Sequence, residues 1–201
     1  PFHRYENGKD LSELPLESVA DLDCLLVRVD PAAGSAIDEV PLSASEVGGR
    51  AVLFHTGWDR HWRTDAYFDG HPYLTKRAAE WLAHAGAALV GIDSLNIDSV
   101  ATGERPVHTV LLGRDIPIVE HMRGLKDVPE RGSRFSAVPV KVGVLSKVRS
   151  SVSLSPLSLA AARSGVDGCA VPVSTVTTRA PETRLMLPAT STARAVTECA
   201  P

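Results

Sequence analysis

Thr75-Lys76-Arg77-Ala78-Ala79-Glu80-Trp81-Leu82-Ala83-His84-Ala85-Gly86, followed at once by Ala87-Ala88-Leu89-Val90-Gly91-Ile92-Asp93, decides the fold class. Ala78, Ala79, Leu82 and Ala83 recur at helical spacing, with Thr75 as a hydroxyl cap before them and Gly86 as a stop after them. The run that follows is short and apolar and reads as a buried strand. Upstream, Arg50-Ala51-Val52-Leu53-Phe54-His55-Thr56 is a second such run, ended by Gly57. Strand, helix and strand across residues 51 to 93 imply a parallel pair joined by a right-handed crossover, and so an α/β fold. Ligands of such sheets gather beyond the carboxyl ends of the strands. The loop after Thr56 and the loop Asp93-Ser94-Leu95-Asn96-Ile97-Asp98 are therefore expected to be neighbours.

Outward from this unit, Cys24 to Asp30 reads as another buried strand, stopped by Pro31. Asn7-Gly8 marks a turn and residues 15 to 20 a short helical piece. Ser43 or Ser45 with Glu46 caps a brief helix that ends at Gly48-Gly49. Arg134 to Val142 alternates like a strand, with Pro139 suggesting an edge or a bulge. Val107 to Leu112 and Pro117 to Val119 read as strand-like runs around a turn at Gly113-Arg114-Asp115, a hairpin-like unit. From residue 144 the chain is rich in Ser, Thr, Ala and Pro and has no Phe, Tyr or Trp. Such a tail does not readily offset its ordering entropy. The expected organisation is one domain over residues 1–143 and a divergent or disordered tail over 144–201, with a short helix near residues 158–163.

The 201 residues suffice for one core without disulfides or metals as staples. Hydrophobic residues at 44% and a net charge of -3 give no reason to expect nucleic acid or an anionic membrane as partner. A small-molecule substrate and further copies of the chain are the expected partners. Cys24, Cys169 and Cys199 are odd in number and lack ligand spacing, which fits a reducing cytoplasm. No apolar run reaches the roughly 18 residues of a membrane span.

The side chains with chemistry concentrate at loops. Trp58-Asp59-Arg60-His61-Trp62 follows a strand, and Tyr67 and Phe68 come soon after. Trp58, Trp62 and Phe68 are read as the lining of a pocket for a flat or aromatic ligand, the alternative being tryptophans that plug the edge of a core. His108 and Glu120 are metal-ligand candidates by type, since imidazole and carboxylate suit Zn²⁺, Mn²⁺ or Fe²⁺. Their separation alone arises often by chance, and two solvated side chains remain the alternative. On an extended segment Glu120 and His121 point opposite ways, so at most one of them faces a common site.

Several blocks carry a resemblance. Pro1-Phe2-His3-Arg4-Tyr5 is similar to the end of the His-x-Gly-Thr-His-x-Asp-Ala-Pro-x-His motif of the cyclase-like metal-dependent hydrolases. Thr56-Gly57-Trp58-Asp59, His71-Pro72-Tyr73-Leu74, Val90-Gly91-Ile92-Asp93-Ser94, Pro106-Val107-His108 and Pro117-Ile118-Val119-Glu120 also resemble that family, in its order. The family includes kynurenine formamidase and isatin hydrolase. The resemblance implies an α/β fold, a swivelling β/β/α-type single domain with a mixed sheet, to which the poorly ordered C-terminal tail is added. It also implies hydrolysis of an amide, formamide or lactam with Mn²⁺ or Zn²⁺, in a homodimer or homotetramer. His3 corresponds to the family's general acid/base, and His108 and Glu120 to its downstream metal ligands. The preceding two histidines and aspartate of the motif lie ahead of Pro1, so the chain is expected to be an N-terminally incomplete, impaired copy. The alternative is a catalytically inactive scaffold or partner-binding domain.

Overall fold

The computed structural model describes residue 5 and residues 8–9, 11–30, 34–139, 173–178 and 192–196. A single 3-10 turn, Leu16–Ser18, stands where the short helical piece is expected. Strand β1 follows (Leu22–Arg28), then β2 (Ala36–Ile37) and helix α1 (Ala44–Val47). Ser43 and Glu46 close a reciprocal capping box on α1, in which the Ser43 hydroxyl accepts from the Glu46 amide and the Glu46 carboxylate accepts from the Ser43 amide. Next come β3 (Ala51–His55), β4 (Tyr73–Leu74), α2 (Lys76–His84) and β5 (Leu89–Ile92). The Thr75 hydroxyl accepts from the Ala78 amide and so caps α2, as its position implies. The chain continues through α3 (Pro106–Leu112), β6 (Ile118–Val119), β7 (Ser133–Val138), β8 (Val173–Thr178) and β9 (Thr192–Val196).

The strands form a mixed sheet in the order β6-β5-β3-β1-β7-β8-β9, and β2 and β4 make a separate parallel pair. β6, β5, β3 and β1 are mutually parallel, whereas β7, β8 and β9 continue the sheet in antiparallel fashion. Side chains alternate across the sheet because a strand has a period of two. Leu25, Val27, Val52, Phe54, Val90 and Ile92 meet Leu82, Val107 and Leu111 on the helix-covered face. Cys24, Leu26, Leu53 and Leu89 meet Met122, Leu125 and Phe135 on the other. Burying each large side chain contributes about 1.5–3 kcal/mol. The alanines of α2 let that helix lie close against the sheet. Gly91 marks the tightest approach, since a Cβ there would lie 2.7 Å from both Leu53 Cδ2 and Met122 Sδ.

Two expectations change. The run Val107–Leu112 is helix rather than strand, so residues 106–121 form a helix, a turn and a short strand instead of a hairpin. Pro106 occupies the first turn of α3, where its missing N–H costs no hydrogen bond. Strand β7 lies between β1 and β8 rather than at an edge, and Pro139 follows its last residue without interrupting it. The boundary near residue 143 and the short helix near residues 158–163 lie outside the described residues, as does most of the tail. Within that stretch the described residues 173–178 and 192–196 are the paired strands β8 and β9.

Candidate active site

The parallel strands β3, β5 and β6 end on His55, Ile92 and Val119, which places the loops that follow them side by side. Asp93, fully buried, ties the first two loops together. It accepts from the Thr56 amide at 2.9 and 3.1 Å, the Thr56 hydroxyl at 2.6 Å and the Gly57 amide at 2.8 Å. The expected adjacency of these loops is thus present. Gly57, at φ 70°, turns the chain into the 3-10 segment Trp58–His61.

The third loop carries Glu120. One of its oxygens accepts from the Ile97 amide at 2.7 Å and lies 3.8 Å from His108 Nε2. His108 is held from behind by Asp98, whose Oδ2 is 2.7 Å from His108 Nδ1. Asp98 also accepts from the backbone amides of Val107 at 2.7 Å and His108 at 3.1 Å, so it caps α3 from eight residues upstream of Pro106. Burial pushes the Asp98 carboxyl up, but His108 and these two amides outweigh it and hold the group below its ordinary value. For Glu120 burial dominates, and its carboxyl lies above its ordinary value despite the amide of Ile97 and the charge of His108.

The structure therefore brings His108 and Glu120 together. A gap of 3.8 Å is too long for a hydrogen bond. It suits two donors on one ion, since metal–ligand bonds of about 2.0–2.2 Å place two ligand atoms at most about 4.3 Å apart. His121 turns away at φ 57°, and its Nδ1 lies 3.0 Å from the Tyr67 hydroxyl. Burial and then the charge of His71 push its imidazole below the ordinary value. Tyr67 is buried at the centre of the aromatic group. Trp62 meets it edge-on at 5.1 Å, Phe68 at 5.9 Å, and the Trp58 indole N–H donates to its carbonyl at 3.0 Å. Burial, then the charges of Asp93, Glu120 and Asp59, push the Tyr67 phenol up. Trp58 and Trp62 are half-buried and Phe68 is 63% exposed.

His3 lies outside the described residues. Two residues on, the Tyr5 hydroxyl donates to the Thr109 carbonyl at 2.5 Å, beside His108. A second donor cluster, His55, Asp59 and Asp93, has its ligand atoms within 4.8 Å of one another. Its geometry is that of a latch, because both Asp93 oxygens are taken by loop amides and an Asp59 oxygen accepts from the Gly124 amide at 3.0 Å. Asp98 is the site residue missing from the sequence reading. Its signal there is slight, a carboxylate in a loop ahead of an X-Pro step, too far along the chain to be an ordinary cap.

Residues 1–99 match the family described as putative cyclase. Over 142 residues the chain is 32% identical to the kynurenine formamidase of Erythrobacter litoralis (strain HTCC2594), covering 71% of this chain and 63% of that protein. It is 31% identical over 132 residues to the kynurenine formamidase of Bordetella avium (strain 197N), covering 61% and 57%. The chain thus spans about three-fifths of the length of these curated relatives. A potential metal-dependent hydrolase with cyclase activity superposes with a TM-score of 0.54 at 26% identity, over 71% of this chain and 68% of that one. An isatin hydrolase bound to the product analogue thioisatinate shares the fold, with a TM-score of 0.59 at 19% identity over 70% and 63%. The resemblance read from the sequence is borne out, and so is the mixed α/β fold.

Proposed function

We propose, from the premise that the chain is related to the cyclase family, that it is a metal-dependent hydrolase of a carbonyl–nitrogen bond in an amide, formamide or lactam. The observation that carries this reading is the convergence of His108 Nε2 and Glu120 Oε1 to 3.8 Å at the carboxyl edge of the parallel strands. His108 and Glu120 would hold the cation, Mn²⁺ or Zn²⁺, both compatible with a mixed imidazole and carboxylate donor set. Such an ion supplies Lewis acidity, lowering the pKa of a water and polarising a carbonyl.

The chain's own residues divide the remaining tasks. His3 is the proton carrier that takes a proton from the attacking water and returns it to the leaving nitrogen. The family resemblance supports this role, since His3 corresponds to the family's general acid/base. Trp58, Trp62 and Phe68 flank a flat or aromatic substrate. Tyr67, whose phenol is pushed up, holds its proton and serves as a hydrogen-bond donor rather than a base. A homodimer or homotetramer, on the strength of the family resemblance, and a cytoplasmic location, on the odd and unspaced cysteines, complete the reading. Among the described residues no helix is long and apolar enough to cross a membrane.

The test is hydrolysis of a formanilide and of a lactam by the Mn²⁺- or Zn²⁺-loaded protein, beside H108A and E120A. The expected result is hydrolysis that each variant abolishes while its circular dichroism stays native. Absence of hydrolysis on both substrates, or rates unchanged in the variants, would overturn the reading.

A further inference from the structure

We propose a ligand site for a small organic carboxylate, separate from the candidate active site, in the cavity of about 320 Å³ that Arg50 and Ser133 line at the amino end of β3. Arg50 immediately precedes β3, and Cys24 of β1 is in register with Ala51 on one side and with Ser133 on the other. The loop of the candidate active site leaves the opposite end of the same strand, after His55. From Ala51 to His55 the strand takes four steps of about 3.3 Å, so the two places stand roughly 13 Å apart along it.

The charged groups on the cavity wall are matched, with one exception. Glu46 accepts from the Arg131 guanidinium and from the amide and hydroxyl of Ser43, and Asp23 accepts from Arg134 at 2.6 Å. Arg50 donates from Nη1 to the Glu46 carbonyl, and among the described residues no carboxylate pairs with it. A guanidinium presents its N–H donors as a planar fork, so the Nε–Nη2 edge of Arg50 is left for two parallel bonds to one carboxylate. Ser133 is the independent observation. It is 1% exposed, and its hydroxyl has no hydrogen-bond partner among the described residues. A buried hydroxyl is disfavoured until something bonds to it, and a ligand oxygen in this cavity would accept its proton. One unmatched cation and one orphaned hydroxyl call for a single negative charge with several acceptor positions, which a carboxylate supplies. Cys24 and Leu25 complete the wall with apolar surface, which suits a carboxylate on a hydrocarbon or aryl body better than a bare inorganic anion.

The experiment is a titration of the metal-free full chain with benzoate, followed by ¹H–¹⁵N NMR, beside titrations with benzamide and inorganic phosphate and with the variants R50Q and S133A. Neither metal nor hydrolysis enters the readout, so the result stands apart from the proposed reaction. Saturable shifts are expected at the amides of Gly132 and Ser133 and at the Arg50 side-chain N–H. R50Q should weaken benzoate at least about tenfold and S133A about threefold, in line with a charge-assisted pair and a neutral hydrogen bond. Benzamide, which keeps the shape and lacks the charge, should bind at least as weakly as benzoate binds R50Q. S133A removes only a hydroxyl that has no partner in the described chain, so it is expected to fold, and it decides the matter if R50Q does not. Shifts confined to the Trp58–Trp62 loop, benzamide binding as well as benzoate, phosphate binding more tightly than benzoate, or undiminished affinity in a folded R50Q or S133A would each overturn the proposal.

Discussion

Asp93 receives both the amide and the hydroxyl of Thr56 within a fully buried pocket, at 2.9 and 2.6 Å, and so joins the end of β3 to the end of β5. Replacing it with alanine leaves two buried donors, the Thr56 amide and hydroxyl, and the part-buried Gly57 amide without this partner. Each costs about 1–3 kcal/mol when orphaned. D93A is expected to lose at least about 2 kcal/mol in chemical denaturation, and D93N markedly less. Equal losses in the two variants would remove the bonding argument.

Glu46 provides the acid-range signature of the fold. Its carboxyl is held down to about 2 by Arg131 first, then by the amide and hydroxyl of Ser43, against an ordinary value of 4.5. The folded value lies below the unfolded one, so the stabilisation is fully present above about 4.5 and is lost as pH falls toward 2. Melting temperature followed from pH 5 to pH 2 should decline with this group, and E46Q should flatten that part of the profile.

Glu120 is expected to trade stability against binding. Burial disfavours its charge, while its contact with the Ile97 amide suits a glutamine oxygen equally well. E120Q should therefore leave the metal-free protein as stable as before or about 1 kcal/mol more stable. Metal uptake should disappear. A variant that melts early and still takes up Zn²⁺ would contradict both halves.

The Tyr5 hydroxyl is the described link between the N-terminal segment and α3. Y5F removes a bond of about 0.5–1.5 kcal/mol. The expected result is a lower kcat with unchanged Zn²⁺ affinity, because the bond holds the N-terminal segment to α3 without touching His108 or Glu120. Unchanged kcat would detach the Tyr5 link from the chemistry.

Phe68 offers a clean test of the aromatic lining. It is 63% exposed, so F68A should shift stability by no more than about 0.5 kcal/mol. KM for an aryl substrate should rise while kcat holds. An unaltered KM would leave Phe68 as an ordinary surface residue.

What could be read from the chain depended on where each element's signals sit. Helix α2 carries its cap, its apolar face and its stop within residues 75 to 86, and β3 and β5 are apolar runs with glycine or a turn at their ends. Helix α3 hid for two reasons. Val107, Thr109 and Val110 are β-branched and favour strands, and the capping group is Asp98, brought near only by the fold. The pairing of His108 with Glu120 came from family resemblance, because their separation crosses a helix, a turn and a strand. Asp98 escaped notice for the same reason as α3: its role is a tertiary contact.

Gly91 faces Leu53 on β3 and Val119 on β6, and Glu120 is the next residue along. A single methyl group at Gly91 would press on Leu53 and Met122 at 2.7 Å, and overpacking of this sort moves backbones as well as side chains. Metal–donor distances are tolerant to only about 0.2 Å. The hydrogen atom in place of a side chain at position 91 therefore acts as a spacer gauge: it leaves the room that Met122 fills, and so lets the chain two residues beyond Glu120 settle against the sheet.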